Sequence, residues 1–277
     1  MKKRGNAMKH STKTKLVVLC GLLLLLSGCT EVAITGRKQL NLVPDSMINS
    51  MAFQSYSEIL AQSKLSKDFS STQMVKRVGG GIQKAVEQYC IKNGLEDRLT
   101  GYQWEFNLIE DDALNAWAMP GGKMVVYTGL LKVTQTEAGL ATVIGHEIGH
   151  VFAKHGAERM TQGLLVDLGG MALSETLANR PAQTQNLFNQ SYGIGTQLGV
   201  LLPYSRVHEN EADHLGLIFM AMAGYNPNEA LSFWQRMALA KQGPQPLEIL
   251  STHPTDSTRL SNIQRLLPEA MQYYHQP

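Results

Sequence analysis

The chain is short of cysteine, of long apolar runs and of excess positive charge. Its three cysteines, Cys20, Cys29 and Cys90, are spread over 277 residues. Cys20 and Cys29 belong to the N-terminal stretch, so Cys90 stands alone in the remainder and an internal disulfide framework is excluded. Cys90 reads as a buried apolar residue. Beyond that stretch no apolar run reaches the ~18 residues of a membrane-spanning helix. Gly163–Leu173 comes nearest, and Asp167 interrupts it. Internal repeats are lacking, which excludes a solenoid. The basic balance is also only apparent. Of 25 Lys and Arg, six (Lys2, Lys3, Arg4, Lys9, Lys13 and Lys15) precede Cys29 with no acid among them, leaving 19 against 23 Asp and Glu. The body of the chain is therefore acidic, and a nucleic-acid partner is excluded.

The N-terminal stretch has its own pattern. The basic segment is followed by the apolar run Leu16–Leu26 and then by Leu26-Ser27-Gly28-Cys29. The run is too short to span a bilayer comfortably, and the four residues look like a bacterial lipobox, with cleavage before Cys29 and lipidation of its thiol and amine. The expected organisation is a signal peptide over 1–28, an extended lipidated tether over 29–43 and one domain over 44–277. Thr30 follows Cys29 where an Asp favours inner-membrane retention in some bacteria. The expectation is therefore a lipid anchor in the outer membrane of a bacterial envelope, with the domain in the periplasm.

The domain is organised around Ala138–Val151, which contains His146-Glu147-Ile148-Gly149-His150. Residues four apart on a helix share a face, so His146 and His150 can aim ring nitrogens at one metal ion. Glu147 lies about 100° further round and can reach a water on that ion. Leu140, Ile144, Ile148 and Val151 make an apolar face. Thr142, Gly145, Gly149, Ala153 and Gly156 make an opposite stripe of small residues, which predicts an enclosed helix with another backbone packed closely against it. A glycine inside a helix costs ~1 kcal/mol relative to alanine, so Gly149 points to a packing requirement.

In chain order, Asp45 is expected to cap a helix to about Leu65, and a second helix fits Ser71–Ile91, closing near Asn93-Gly94. Tyr102–Ile109 reads as a strand. Asn115–Met119, Pro120-Gly121-Gly122 and Lys123–Thr128 read as strand, turn and strand, with Pro120 confining the first to an edge or ending it. Such an edge can pair with an extended peptide; an ordinary hairpin under the helix fits the same residues. Thr134-Gln135-Thr136-Glu137 is a capping box for the metal helix. Residues 157–203 read as one or two helices, either a lid or a packed hairpin. Ser205 is the expected N-cap of a helix carrying Glu209 and Asp213 on one side, and Asn226-Pro227-Asn228-Glu229 starts another. A closing helix follows Leu250–Leu260.

A mononuclear zinc hydrolase needs a third protein ligand, and Glu209 is a candidate. Asp213, one turn on, is placed to hydrogen-bond a ligating histidine. The HExxH motif, SRxxExEAD (205–213), NAxAxPGG (115–122) and STHPxxxxR (251–259) together resemble the zinc metallopeptidase family of HtpX and the CAAX prenyl protease. The likeness is greatest to the soluble-domain branch with LoiP- and BepA-type periplasmic lipoproteins and the mitochondrial stress peptidase that overlaps the m-AAA protease. It covers roughly residues 100–268.

The resemblance implies an α+β, mainly α, gluzincin-type domain with a small sheet bearing an edge strand. It assigns one Zn2+ per chain to His146, His150 and Glu209, with Glu147 as general base and Asp213 behind the ligands. Asn115, Ala116 and Ala118 fall on the substrate-holding strand. His253 and Arg259 fall at the site as catalytic residues, with His253 either an extra ligand that shuts it or a donor to the oxyanion, and Arg259 the other candidate to aid the oxyanion. His155, His208 and His214 match no catalytic position and are expected to be structural. The implied partners are unfolded or misassembled protein substrates, the membrane through Cys29, and envelope assembly machinery. The reading that follows is a quality-control zinc endopeptidase; the alternative is a latent or chaperone-like assembly lipoprotein.

Overall fold

The computed structural model describes residues 28–168, 179–191, 205–240, 253 and 258–275. Residues 1–27 of the predicted signal peptide, and most of the predicted loop before Arg259, lie outside the described residues. The elements in order are β1 (Cys29–Glu31), β2 (Lys38–Leu40), α1 (Asp45–Gln62), α2 (Phe69–Asn93), β3 (Glu105–Ile109), β4 (Ala116–Met119), β5 (Lys123–Tyr127), α3 (Thr128–Thr134) and α4 (Glu137–Phe152). They continue with α5 (His155–Leu168), α6 (Pro181–Ser191), α7 (Arg206–Met222), α8 (Glu229–Ala240) and α9 (Arg259–Ala270). This is the expected α+β, mainly α, class. Among the described residues no helix is long and apolar enough to cross a membrane.

α4 runs through the centre, buried from Gly139 to Phe152. α2, α7, α8 and β4 surround it. Its apolar face joins a core that includes Val78, Ile82, Leu215 and Phe219. Phe219 meets the Phe152 ring edge-on at 5.3 Å and Tyr89 at 5.9 Å, an arrangement aromatic quadrupoles favour. Fully burying one such side chain is worth about 1.5–3 kcal/mol. The stripe of small residues meets the backbone of α7, as the sequence predicts: a Cβ on Gly149 would lie 2.8 Å from the Ala212 carbonyl oxygen.

The three-stranded sheet has the order β3-β5-β4, with β5 parallel to β3 and antiparallel to β4. β4 is thus an edge strand, and Pro120 follows its last residue. β5 is covered on both faces: Met124 and Val126 enter the core around α4, and Val125 enters a second core with Ile48, Tyr56, Met160 and Phe188. That is why its sequence is a continuous apolar run. Gly121 and Gly122 turn with φ of 78° and 80°. A side chain at Gly121 would strike the Phe53 ring, and one at Gly122 the Trp104 ring.

Four local expectations are corrected. Asp45 is the first residue of α1, not its cap, and pairs with Lys154 instead. Lys123–Thr128 does not run on as a strand, because Thr128 opens the helix α3. The metal helix is capped two residues later than the capping box predicts. The Thr136 hydroxyl accepts from Gly139 N at 2.9 Å, while Thr134 closes α3 and Glu137 turns outward to Arg77. Residues 29–43, expected as an extended tether, instead form the β1–β2 hairpin against the domain: Val32 is fully buried, and Gln39 donates to the Ala153 carbonyl at 2.8 Å. Of the 157–203 segment, α6 packs on α5 and α1 through Leu187 and Phe188; residues 169–178 and 192–204 lie outside the described residues.

The docked hairpin supplies a pH dependence. Burial acts to raise the Glu158 pKa, yet hydrogen bonds from His208 and Arg37 outweigh it and hold the carboxyl at about 2. Its folded value lies below the unfolded one, so its stabilisation is complete above about pH 4.5 and disappears as the pH falls towards 2. Glu158→Gln is expected to cost about 2–3 kcal/mol at pH 7. The same substitution should cost little at pH 2, as denaturant titrations at the two pH values will show.

Candidate metal centre

Two helices and one loop residue bring the polar groups together. α4 supplies His146, Glu147 and His150. Facing it, α7 opens at Ser205, whose hydroxyl accepts from His208 N, and this phase turns Glu209 and Asp213 inward. His253 enters from the C-terminal side. One donor atom each from His146, His150, Glu209 and His253 fall within 4.8 Å of one another, all four residues buried. His150 Nε2 lies 3.1 Å from His146 Nε2, His146 Nε2 lies 3.3 Å from His253 Nδ1, and His253 Nδ1 lies 3.0 Å from Glu209 Oε1.

Hydrogen bonding fixes which face of His146 is turned to this cluster. The Asp213 carboxylate can only accept, so the 2.9 Å contact with His146 Nδ1 carries the ring proton. Nε2 of the same ring is then turned into the cluster, where a metal ion would take the place of a proton, the orientation a metal ligand requires. Arg259 is buried behind the acids. Its Nε and Nη2 grip Asp213 at 2.9 and 2.7 Å, and Nη1 donates to Glu209 at 3.1 Å. The guanidinium carbon also lies 3.4 Å from the centre of the Trp234 ring.

The charges fit a divalent cation. Glu209, Asp213 and Glu147 are buried carboxylates, and Arg259 offsets only one of them. Burial and Arg259 pull His146 down, but the hydrogen bonds of Asp213 and Glu209 outweigh them and hold it at about 9. Burial pushes His150 well below the ordinary histidine value, so it is neutral. Burial pushes Glu147 above the usual carboxylate range. Its Oε1 is buried without a hydrogen-bond donor among the described residues, 3.5 Å from His253 Nε2. A buried carboxylate oxygen left in this state is costly, and a water on a metal would supply its missing proton donor. Imidazole nitrogens and one carboxylate suit zinc among the common metals.

The structure therefore brings together His146, Glu147, His150, Glu209, Asp213, His253 and Arg259. Asn115 is half-buried just before β4, on the sheet edge that flanks α4. Ala116 and Ala118 lie on β4, but their side chains are buried in the core around α4, so this strand offers its main chain and not those methyl groups. Cys29 is exposed at the start of β1 and lies outside the cluster. His155, expected to be structural, touches the proposed ligand His150, and His208, expected likewise, is stacked on His155. Only the five-residue step from His150 to His155 hints at the first contact.

Four converging donors, three on two facing helices and one from a loop, with a carboxylate beside them, define a mononuclear metallohydrolase centre of the HExxH kind. The chain belongs to Peptidase family M48, whose model matches residues 79–267. It is 31% identical to the mitochondrial metalloendopeptidase OMA1 of Schizosaccharomyces pombe over 242 residues, 86% of this chain and 66% of that protein. It is 33% identical to the mitochondrial metalloendopeptidase OMA1 of Homo sapiens over 175 residues, 61% of this chain and 33% of that one. Over 169 residues it is 30% identical to the beta-barrel assembly-enhancing protease of Escherichia coli, 57% of this chain and 33% of that protein. The chain spans 66%, 55% and 38% of the length of the fission-yeast, budding-yeast and Arabidopsis mitochondrial metalloendopeptidases.

Proposed function

We propose that this chain is a zinc endopeptidase, held to a bacterial envelope membrane through Cys29, that cleaves misfolded or unassembled envelope proteins. The observation that carries the peptidase reading is the buried Glu147 oxygen, without a hydrogen-bond donor among the described residues, beside four convergent metal donors. His146, His150 and Glu209 would hold the ion. Bound zinc supplies Lewis-acid polarisation of a carbonyl and lowers the pKa of water towards ~7. Glu147 accepts the proton of the attacking water at Oε1 and delivers it to the leaving amide nitrogen. Asp213 holds the His146 ring in the binding tautomer, and Arg259 keeps both α7 carboxylates in place. The edge of β4 beside α4 can receive an extended substrate through main-chain hydrogen bonds. That mode suits unfolded segments of varied sequence. The lipobox and the exposed Cys29 support the envelope location, with the outer membrane favoured by Thr30.

A second reading rests on His253. Its Nδ1 sits among the donors, 3.0 Å from Glu209, where substrate would otherwise approach. A histidine there gives a latent enzyme, or an assembly lipoprotein whose site is mostly closed. The test is zinc-dependent cleavage of an unfolded protein by the parent chain and by His253→Ala. Cleavage by both at similar rates supports the open peptidase. A gain of tenfold or more in His253→Ala supports latency. Full zinc occupancy without cleavage by either chain would overturn the peptidase reading.

A further inference from the structure

The N-terminal hairpin is joined to the metal centre by an unbroken path of hydrogen bonds, part-buried at the hairpin and fully buried from Glu211 inward. Arg37 Nε donates to Glu211 Oε2 at 2.7 Å, and the Thr35 hydroxyl donates to Glu211 Oε1 at 2.5 Å. Glu211 Oε2 lies 3.1 Å from His155 Nε2, and His155 Nδ1 lies 2.9 Å from His150 Nδ1. We propose that the β1–β2 hairpin is a positioning element of the metal centre, acting through Arg37, Glu211 and His155 on the ring of His150. This rests on the reading of His150 as a metal ligand.

Proton placement along the path has one solution for neutral rings. A carboxylate accepts and cannot donate, so His155 Nε2 carries the hydrogen that Glu211 receives. His155 Nδ1 is then an acceptor, and the hydrogen in its contact with His150 belongs to His150 Nδ1. That leaves the His150 Nε2 lone pair turned towards Glu209, 3.3 Å away, and His146. His146 is oriented by Asp213 directly, whereas His150 is oriented by Glu211 through an intervening histidine. The difference follows from helix phase. Asp213 is one turn beyond Glu209 and shares its side of α7, while Glu211, two residues on, is rotated by about 200°. From there Glu211 reaches His150 only through a bridging group.

The hairpin is built to hold the far end of this path. Ile34 and Gly36 both have positive φ, 74° and 69°, in a turn closed by Val32 N to Arg37 O and by Gly36 N to Val32 O. A β-branched residue in that region is disfavoured, so tertiary contacts must hold it there. The turn directs Thr35 and Arg37 onto the domain. Arg37 also grips Glu158 with both terminal nitrogens, at 3.0 and 2.7 Å, and Glu158 in turn meets His208 Nε2 at 3.0 Å. The His208 ring is stacked on His155 at 4.4 Å. One guanidinium thus clamps the carboxylates that partner both stacked rings.

The test uses the full chain, with zinc and cobalt as the probes. Zinc Kd is measured by competition with a chromophoric chelator, the cobalt-loaded site is followed by its visible absorption, and thermal unfolding is recorded without added metal. Glu211→Leu and Arg37→Met are expected to raise the zinc Kd about 10–100-fold and to shift the cobalt spectrum. Glu211→Gln, whose amide oxygen still accepts from His155, should lie much closer to the parent. Thr35→Val, which deletes a single hydroxyl contact, should give a smaller change in the same direction and decides the matter if Arg37→Met does not fold. A lowered unfolding temperature with Kd within twofold and an unchanged cobalt spectrum would reduce the hairpin to a structural clasp and overturn the proposal. A parent chain that takes up no zinc, or an unchanged Kd in His150→Ala, overturns the metal reading itself and the relay with it.

Discussion

Glu147→Gln is expected to keep its metal and its fold and to lose peptide hydrolysis by roughly 10²–10⁴-fold, the range a positioned general base contributes. Glu147 is not among the four convergent donors, so its replacement leaves the metal ligands in place. Gln has nearly the same volume, so the packing around residue 147, which is 3% exposed, is undisturbed. What disappears is proton affinity. Burial raises the Glu147 pKa, which suits a group that must take a proton from water and return it to an amine. The same burial makes the carboxylate expensive to keep, with Oε1 lacking a donor among the described residues. A neutral amide relieves part of that cost, so the variant should unfold at a temperature equal to or above that of the parent. Glu209→Ala makes the contrasting control, because it should lose the metal together with the activity. Undiminished cleavage by Glu147→Gln at full metal occupancy would remove Glu147 from the mechanism.

How much could be read in advance depended on how local the cause was. His146 and His150 are brought together by helix geometry alone, and so are Glu209 and Asp213. Those contacts follow from spacing. The close approach of α7 to the glycine stripe was also legible, since Gly145 and Gly149 have no other use inside a helix. The insertion of β5 between β3 and β4 was not, because strand order is decided by long-range pairing and β5 is apolar on both faces. α3 was hidden for a related reason. Leu130, Leu131 and Val133 continue the apolar run of β5, and the capping signal after them spreads over two threonines. The relay to His150 lay furthest from view. Arg37 and Glu211 are 174 residues apart, and no periodicity links them. Edge position could be anticipated for β4 from Pro120, but the inward direction of Ala116 and Ala118 could not. Only packing against α4 shows that their small size serves the helix.

Gly216→Val is expected to be the most damaging single change to the fold of the centre. A Cβ at Gly216 would stand 2.8 Å from His146 N and 2.9 Å from Gly145 C. These are backbone atoms of a fully hydrogen-bonded helix, and they cannot rotate away as a side chain tip can. Gly145 and Gly149 press back on α7 in the same way, their own Cβ positions falling 2.8 Å from the Gly216 and Ala212 oxygens. The two helices that carry every proposed ligand except His253 are therefore spaced by backbone contact. Valine adds three carbons to that contact, so the helices must part, and parting them draws Glu209 and Asp213 away from His146 and His150. Overpacking of this kind costs about 3 kcal/mol or more where nothing can yield. The loss should appear as a lower denaturant midpoint and, in the folded fraction, as weakened zinc binding. Gly80→Ala is the matched control in α2: its Cβ meets nothing within 4 Å, so it should stabilise by about 0.5–1 kcal/mol through helix propensity. Gly216→Val with parental stability and parental zinc affinity would mean that the spacing of α4 and α7 does not set the geometry of the site.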